Sequence, residues 1–369
     1  MAMERIGFDA RMADYTGIGT YIKNLLSQYR RLGFLKFVSV YGDRDNEFLN
    51  EVTSGAVSAA SAPVYSFSEQ LFFSLKTGRD NRIFHSPHYN APLFRVGKLV
   101  VTIHDLTHLK IPENLPSLKA RAYSRLMLPA VAGKASRIIT SSESVKSDII
   151  KILKAQEEKI TVIPLAAAEE FRPVEDRDRI DKFREKYGLP EGYILYAGNM
   201  KKHKNLDVLL EAYNNLRKKR KLDAPLVFST AGRIDRSLVE KSSLMGISGS
   251  VKFLPFIPGD EMPLLYNAAA MFVFPSLSEG FGLPLLEALS CGVPCAASDR
   301  TSLPEVAGGA AVLVDPESAG GFEKAIYDIM TDSSLRESLS GRGLVRAKNF
   351  SWEKTAAATI NVYNRCAGE

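Results

Sequence analysis

The chain has 369 residues, of which 45% are apolar and 24% charged, and these values exclude disordered and fibrous proteins and favour two globular domains. Its three cysteines, Cys291, Cys295 and Cys366, form neither a disulfide framework nor a metal-binding cluster. We expect a soluble, cytoplasmic protein, because the chain shows neither a signal peptide nor a run of about 18 apolar residues.

The net charge of +6 is concentrated in the first half of the chain. Residues 1–172 contain 23 Lys and Arg against 17 Asp and Glu, whereas residues 173–369 contain 25 of each. A basic surface can bind nucleic acid, an anionic membrane or an anionic substrate, or it can simply be solvated. Because no nucleic-acid-binding motif accompanies the charge, we expect no nucleic-acid partner.

Short β-branched and apolar runs alternate with helical patterns along the chain. We predict strands at 37–40, 98–103, 137–140, 160–164, 193–197, 226–229, 251–254, 271–274, 295–297 and 311–314. This alternation predicts an α/β protein with parallel sheets in two Rossmann-like domains, which bind ligands at the carboxyl ends of their strands, in a cleft. A polar stretch after Phe171 sets the domains at 1–172 and 173–350, and we expect residues 351–369 to form a helix that returns to the N-terminal domain.

Two glycines, Gly17 and Gly19, precede an apolar-periodic helix near the start of the chain. A dinucleotide-binding loop would need a further glycine where Ile22 stands, so a nicotinamide site is not supported. The pair is either an ordinary turn or a loop that lies close to a ligand. Further along, Asp43 and Asp45 form a D-x-D pattern; it has no later partner motif, so we interpret it as turn charges and predict no metal site.

Four of the five histidines lie close together in the sequence, namely His85, His88, His104 and His108. Their spacing does not match a zinc site. His104 directly follows a predicted strand, where a parallel sheet presents ligand-binding side chains, and Asp105 beside it is a candidate for contact with an acceptor. We interpret His85 and His88 as packing or loop residues.

Residues 116–129 combine three basic side chains with several leucines and no acidic residue. Two interpretations stay open. We favour an amphipathic helix that packs on the sheet. The alternative is a helix that lies on an anionic membrane where a lipid-linked acceptor is found.

The second half opens with a strand that is followed by Gly198 and a basic loop ending at Lys204. Asn205 is predicted to cap the helix that comes next. A lysine at the mouth of a cleft can neutralise an anionic leaving group. The candidates for a second cation are Lys201 of the same loop and Arg233, which follows the next strand.

The segment EGFGLPLLE carries the strongest signal. Gly280 and Gly282 form a loop after a buried strand, and Pro284 opens a helix. Backbone amides at such a helix start favour an anion such as a diphosphate. Glu279 and Glu287, which flank this loop, are unsuited to phosphate and can instead accept hydrogen bonds from the hydroxyls of a sugar and a ribose.

This segment resembles the E-x7-E signature of the retaining glycosyltransferases of family 4, which have the GT-B fold. The resemblance covers essentially the second half of the chain and parts of the first, and it implies two Rossmann-like domains that face each other across a cleft. The implied catalytic residues are His104, Lys204 and Glu279, with Asp105 at the acceptor. The implied donor-binding residues are Gly17, Gly19, Gly198, Asn199, Arg233, Phe256, Gly280, Phe281, Gly282, Leu283 and Glu287.

The resemblance implies that a hexose passes from a nucleoside diphosphate sugar to a glycan or lipid-linked acceptor, with retention and without metal or cofactor. The pattern HDLTHLKIPE is similar to that of members that use GDP-mannose in polysaccharide and O-antigen assembly, and UDP-glucose and dTDP-rhamnose are the alternatives. Asn199 and His203 stand where many members carry arginine, which leaves the second phosphate-binding cation open. A nucleotide-sugar epimerase, a sugar phosphorylase and a non-catalytic sugar-nucleotide-binding protein are alternative functions. We expect the enzyme in the cytoplasm, free or bound peripherally to the inner face of the membrane.

Overall fold

The structure, a computed structural model, describes residues 5–15, 17–60, 64, 69, 81–94, 97–111, 117–230 and 232–368. Residue 116, the first of the predicted basic and apolar helix, and residues 112 and 113 of the HDLTHLKIPE pattern lie outside the described residues. The chain divides into two compact units: unit 1 comprises Met1–Leu165 and Ser351–Glu369, and unit 2 comprises Ala166–Phe350. The chain thus leaves unit 1 after Leu165, a few residues before the predicted boundary, and returns to it after Phe350.

Unit 1 contains a seven-stranded parallel sheet in the order β3-β2-β1-β4-β5-β6-β7. The strands are β1 (Ile6–Asp9), β2 (Val38–Gly42), β3 (Val57–Ala59), β4 (Ile83–Ser86), β5 (Lys98–Thr102), β6 (Arg137–Thr140) and β7 (Ile160–Val162). Every residue of β1 and β4 is buried, as expected for a parallel sheet that is covered on both faces. The order of the strands reverses between β1 and β4, and ligands of such sheets bind beside the loops that follow the two strands at this switch point.

Among the residues described before Leu165, the helices are α1 (Ile18–Arg31), α2 (Glu47–Thr53), α3 (Thr107–Lys110), α4 (Leu118–Lys134) and α5 (Glu143–Leu153). Ser142 caps α5, since its side chain accepts a hydrogen bond from the Val145 N–H at 3.2 Å. Leu128 of α4 and Ile149 of α5 pack in the same apolar core as Ile138 of the sheet. This packing holds both helices against the sheet.

Unit 2 contains a six-stranded parallel sheet in the order β10-β9-β8-β11-β12-β13. The strands are β8 (Ile194–Ala197), β9 (Leu226–Ser229), β10 (Val251–Leu254), β11 (Met271–Phe274), β12 (Cys295–Ser298) and β13 (Val312–Val314). The helices are α6 (Arg177–Tyr187), α7 (Leu206–Asn215), α8 (Arg236–Leu244), α9 (Met262–Asn267), α10 (Leu283–Ser290), α11 (Leu303–Ala307), α12 (Ala319–Thr331) and α13 (Ser333–Ala347). Here the switch point lies between β8 and β11, the two strands that precede the predicted donor loops.

The strands predicted in the second half agree with the observed ones to within one residue at each end. In unit 1, β1, β3 and β4 were not predicted. These strands have three or four residues each, and β4 contains His85 and Ser86, which conceal its apolar character.

The last helix, α14 (Trp352–Gly368), belongs to unit 1. The hydroxyl of Tyr363 lies 2.8 Å from that of Tyr29 and 2.6 Å from Nδ1 of His85, and all three side chains are fully or almost fully buried. The Thr355 hydroxyl donates to the Pro164 carbonyl at 2.8 Å, close to the point where the chain leaves unit 1. The C-terminal helix is therefore an integral part of the unit 1 core.

Candidate active site

The centre of the candidate site is a buried ion pair at the switch point of unit 2. Lys204 lies in the short turn after β8, and Glu279 lies in the loop after β11. The Lys204 Nζ donates to Glu279 Oε1 at 2.6 Å, and the two side chains are only 8% and 11% exposed. The ammonium group also lies 5.2 Å from the centroid of the Phe274 ring, within the range of a cation–π contact. The fold thus brings together two of the three predicted catalytic residues.

Asn205 holds the Lys204 loop in place. It adopts a left-handed conformation with φ 60°, and its Nδ2 donates to the carbonyls of Pro275 at 3.1 Å and Pro316 at 2.6 Å. The prediction that the Asn205 side chain caps α7 is wrong, because this side chain instead binds the backbone that follows β11 and β13. The backbone beside Lys204 is therefore held against the loops that follow β11 and β13.

The loop that contains Gly280 and Gly282 leads directly into α10. Gly282 has φ 103°, and a Cβ atom there would lie 2.5 Å from Cδ2 of Leu303, so the loop requires glycine at this position. The helix begins at Leu283, and the first amides of a helix have no partner within it. The N–H groups of Phe281, Gly282 and Leu283 can therefore bind an anion, whereas Pro284 has no N–H.

Two hydroxyl side chains fix this loop from the α11 side. The Ser302 hydroxyl donates to the carbonyl of Phe281 at 2.8 Å and lies 3.1 Å from that of Glu279, and the Glu279 N–H donates to Thr301 Oγ1 at 3.0 Å. The loop therefore has a defined shape before a ligand binds, which is the preorganisation that an anion site needs. Sequence analysis did not identify Thr301 or Ser302.

Glu287 lies one turn into α10, and its Oε2 accepts a hydrogen bond from the Tyr266 hydroxyl at 2.9 Å. Burial raises the pKa of Glu287 to about 7, with a smaller contribution from the charge of Glu170, while the Tyr266 hydrogen bond opposes this shift. Near neutral pH the acid is thus balanced between its two protonation states, and hydroxyl donors from a ligand would favour the carboxylate. Tyr266, which comes from α9, was not among the predicted site residues.

Three other predicted donor-binding residues lie near the surface or in turns. Asn199 accepts a hydrogen bond from the Lys201 N–H at 3.2 Å through its side chain, directly after Gly198. Arg233 is exposed, and Phe256 is 62% exposed. Their roles toward a donor stay predictions.

In unit 1, Gly17 and Gly19 form the start of α1. Gly17 has φ 63°, and a Cβ atom at Gly19 would lie 2.3 Å from the Ala13 carbonyl oxygen, so a side chain cannot fit there. The Gly19 N–H donates to the Tyr15 carbonyl at 2.7 Å. The positive φ explains Gly17 and the close packing explains Gly19, while contact with a phosphate stays a prediction.

His104 and Asp105 follow β5. His104 Nε2 lies 3.0 Å from the Pro87 carbonyl, and burial lowers the pKa of the imidazole below its usual value. Because a carbonyl only accepts hydrogen bonds, Nε2 carries the proton and Nδ1 of the neutral ring is left as an acceptor. Burial alone would raise the pKa of Asp105, but His108 and hydrogen bonds from Thr107 outweigh it and hold that pKa below its usual value.

His85 is a packing residue. Its Nδ1 contacts the Tyr363 hydroxyl, and its Nε2 lies 2.8 Å from Thr102 Oγ1. Burial lowers the pKa of His85 to about 3, so the ring stays neutral at physiological pH. The imidazole thus joins α14 to β5 and is not available to a ligand.

A buried polar network at the switch point of unit 1 escaped the sequence analysis. The Arg11 guanidinium donates to Asp9 Oδ2 at 2.6 Å and also to Glu69, which in turn accepts a 2.6 Å hydrogen bond from Asn90 Nδ2. The hydroxyl of Tyr123 on α4 donates to the Asn90 side chain. The network ties together the loops after β1 and β4, the positions at which this sheet would present a substrate.

The helix α4 has two different faces. Met127, Leu128 and Val131 pack in the core, which confirms the favoured interpretation of this segment for one face. On the other face, Leu118 is 78% and Leu126 74% exposed. Among the described residues, no helix is both long enough and apolar enough to cross a bilayer.

Asp43 and Asp45 lie exposed in the turn after β2, where the Asp45 N–H donates to Asp43 Oδ1 at 3.0 Å. This is the geometry of an aspartate-stabilised turn. Within the described ranges, no three His, Cys, Asp or Glu side chains are grouped as metal ligands would be.

Solved structures with this architecture define the fold class. Sucrose-phosphate synthase from Thermosynechococcus elongatus matches with a TM-score of 0.79 at 20% identity, and the match covers 99% of each chain. Anabaena HepE in complex with UDP and glucose matches with a TM-score of 0.76 at 18% identity, over 97% of this chain and 98% of that chain. The predicted GT-B fold is thereby confirmed.

Sequence comparisons then identify the family. The model of glycosyl transferases group 1 matches residues 179–344, and that of glycosyltransferase family 4 matches residues 15–167. O-antigen chain mannosyltransferase B of Escherichia coli is 36% identical over 283 residues, which make up 76% of this chain and 74% of the relative. The chain belongs to the group 1, family 4 glycosyltransferases, and it is a glycosyltransferase.

Proposed function

We propose that this glycosyltransferase transfers a hexose, with retention and without a metal ion, from a nucleoside diphosphate sugar to a glycan or lipid-linked acceptor. The observation that carries the proposal is the Lys204–Glu279 pair beside the glycine loop of α10. The Lys204 ammonium suits a diphosphate, and the Glu279 carboxylate suits sugar hydroxyls. Both lie at the switch point of the sheet.

In this proposal the donor diphosphate lies at the N-terminus of α10. The N–H groups of Phe281, Gly282 and Leu283 and the ammonium of Lys204 stabilise the negative charge that grows on the leaving phosphate. Glu287 accepts hydrogen bonds from the ribose, and Glu279 accepts them from the sugar. Because these groups neutralise the leaving group, the reaction should proceed in the presence of EDTA.

His104 and Asp105 of unit 1 supply the remaining contacts in the proposal. The neutral His104 ring has its Nδ1 available to accept a hydrogen bond from a donor-sugar hydroxyl, while Asp105 binds the acceptor. Retention follows the family resemblance, and the one-bond coupling between C1 and H1 of the transferred sugar, measured by NMR, tests it directly.

We propose GDP-mannose as the donor, supported by the similarity to the E. coli mannosyltransferase. A thermal-shift panel of GDP-mannose, UDP-glucose and dTDP-rhamnose tests this, since a ligand that binds only the native state raises the melting temperature. GDP-mannose is expected to give the largest shift. Calorimetry that detected UDP binding but no GDP binding would refute the mannose assignment. Incubation with the donor alone separates transfer from epimerisation, which needs no acceptor.

We also propose that α4 contacts the anionic inner face of the membrane. Leu118, Ala122 and Leu126 follow one another at intervals of one turn on the exposed face, Lys119 and Arg125 lie beside them, and α4 contains no acidic residue. Sedimentation with vesicles of phosphatidylcholine, with and without phosphatidylglycerol, tests the contact. Binding should require the anionic lipid and be lost in L118E/L126E. Leu244→Glu is the matched control, because Leu244 is 88% exposed but lies in unit 2. Equal binding by both variants would contradict the proposal.

A further inference from the structure

We infer that the Lys204–Glu279 ion pair makes the site select intact sugar nucleotide over free nucleoside diphosphate and drives release of the spent diphosphate. This inference rests on the proposed function and adds a specificity role to its two central residues. Lys204 and Glu279 neutralise each other within the protein, and a ligand that binds either charge directly has to separate them.

The surroundings of the pair make its separation costly. The two side chains are 8% and 11% exposed, with the Phe274 ring below the ammonium, so little water is available to solvate either charge once they part. Within the part of the chain that the structure describes, neither charge has a second ion-pair partner. Removing one member of a buried pair leaves the other uncompensated, which is strongly unfavourable.

An intact sugar nucleotide and a free nucleoside diphosphate compensate the loss of the ion pair differently. A diphosphate that takes over Lys204 leaves Glu279 without its cation and beside a second anion. In the intact donor, hydroxyls of the sugar can donate to Glu279 and replace the lost hydrogen bond. In the free nucleoside diphosphate this group of donors is missing, so its binding bears the full cost of the separated pair.

The difference in affinity between the intact donor and the free diphosphate also favours product release after each transfer. When the sugar passes to the acceptor, the bond between the anomeric carbon and the leaving oxygen breaks, and the sugar hydroxyls depart with the product. Glu279 then loses its donors while the diphosphate still occupies Lys204. Re-formation of the ion pair favours departure of the diphosphate, and no further chemical step is needed.

The test compares the binding of GDP to wild type and to Glu279→Gln by calorimetry, with UDP as the probe if the panel selects a UDP-sugar. The variant frees Lys204 and removes the negative charge, so GDP should bind about tenfold more tightly. The affinity for the sugar nucleotide should rise less or fall. Glu261→Gln is the matched control, because Glu261 forms a 2.6 Å ion pair with Lys186 elsewhere in unit 2 and its removal changes the net charge equally. It should leave both affinities unchanged.

A measurement on the wild type tests the same inference without any variant. Saturating free mannose should increase the affinity for GDP severalfold, because its hydroxyls restore donors to Glu279. Unchanged or weaker GDP binding by Glu279→Gln, or the absence of any effect of mannose on GDP binding, would overturn the inference. Failure of the wild type to bind any sugar nucleotide would instead refute the proposed function, so the two failures can be distinguished.

Discussion

The two units share one sheet architecture but equip their switch points differently. In unit 1, Arg11 lies between Asp9 and Glu69, and its charge is used within the protein to hold neighbouring loops. In unit 2, Lys204 and Glu279 form a single pair beside the start of a helix. A satisfied network favours a rigid surface, whereas a single pair can exchange its internal partner for a ligand. Sheets of the same architecture can thus carry a satisfied polar network at one switch point and a single exchangeable ion pair at the other.

Breaking the unit 1 network should have the largest effect. Arg11→Met leaves two buried carboxylates without their cation and should lower the free energy of unfolding by about 3–5 kcal/mol, as measured by chemical denaturation. Arg44→Met, at an exposed position of the same unit, should change it by less than about 0.5 kcal/mol. Equal stability of the two variants would show that the network holds no loop in place.

Removing the exchangeable cation of unit 2 should mainly affect catalysis. Lys204→Met should lower kcat/KM by about 10²- to 10³-fold, because the leaving diphosphate loses its charge stabilisation. Lys186→Met, which breaks an exposed ion pair in the same unit, serves as the control and should retain activity. A Lys204→Met enzyme with wild-type kcat/KM would disprove the role of this lysine.

Protonation of Glu287 should make the donor affinity of unit 2 depend on pH. Its pKa of about 7 lies above the usual range of a glutamate, so donor binding to the carboxylate has to release a proton below pH 7. Affinity for the sugar nucleotide should therefore be about tenfold weaker at pH 6 than at pH 8. The Glu287→Gln variant cannot titrate and should bind with an affinity that does not vary over this range. Calorimetry at both pH values measures these affinities. An affinity that still varies with pH in the Glu287→Gln variant would show that another group titrates.

The smallest effect is expected at Tyr266. Tyr266→Phe removes one hydrogen bond to Glu287, worth about 1 kcal/mol, and should weaken donor binding at pH 7 about threefold, because half of the free Glu287 is already protonated there. The midpoint of the pH dependence should move upward, since that hydrogen bond favours the carboxylate. An unchanged midpoint would mean that the Tyr266 contact does not influence the ionisation of Glu287.

The sequence predicted those features that depend on neighbours along the chain. The strands of unit 2 are uninterrupted apolar runs, and the segment from Glu279 to Glu287 contains its own turn glycines and helix start. The fold class and the family followed from these local signals. The roles assigned to individual site residues are predictions that the experiments above test.

Features that depend on distant residues could not be predicted. Lys204 and Glu279 are 75 positions apart, and Arg11 and Glu69 are 58 apart, and no spacing rule relates such pairs. For Asn205 the sequence did give a local signal, but the prediction drawn from it was wrong. Its local pattern predicts a helix cap, but its side chain donates hydrogen bonds to the carbonyls of two distant loops instead.

The place of α14 has a consequence for biosynthesis. A ribosome delivers all of unit 2 before it delivers Tyr363, yet Tyr29 and His85 of unit 1 need that tyrosine as their buried partner. Unit 2 can therefore complete its fold during translation, whereas unit 1, although synthesised first, completes its own only when the last helix emerges. The nascent chain would acquire its candidate donor site before the half of the molecule that begins the sequence is finished.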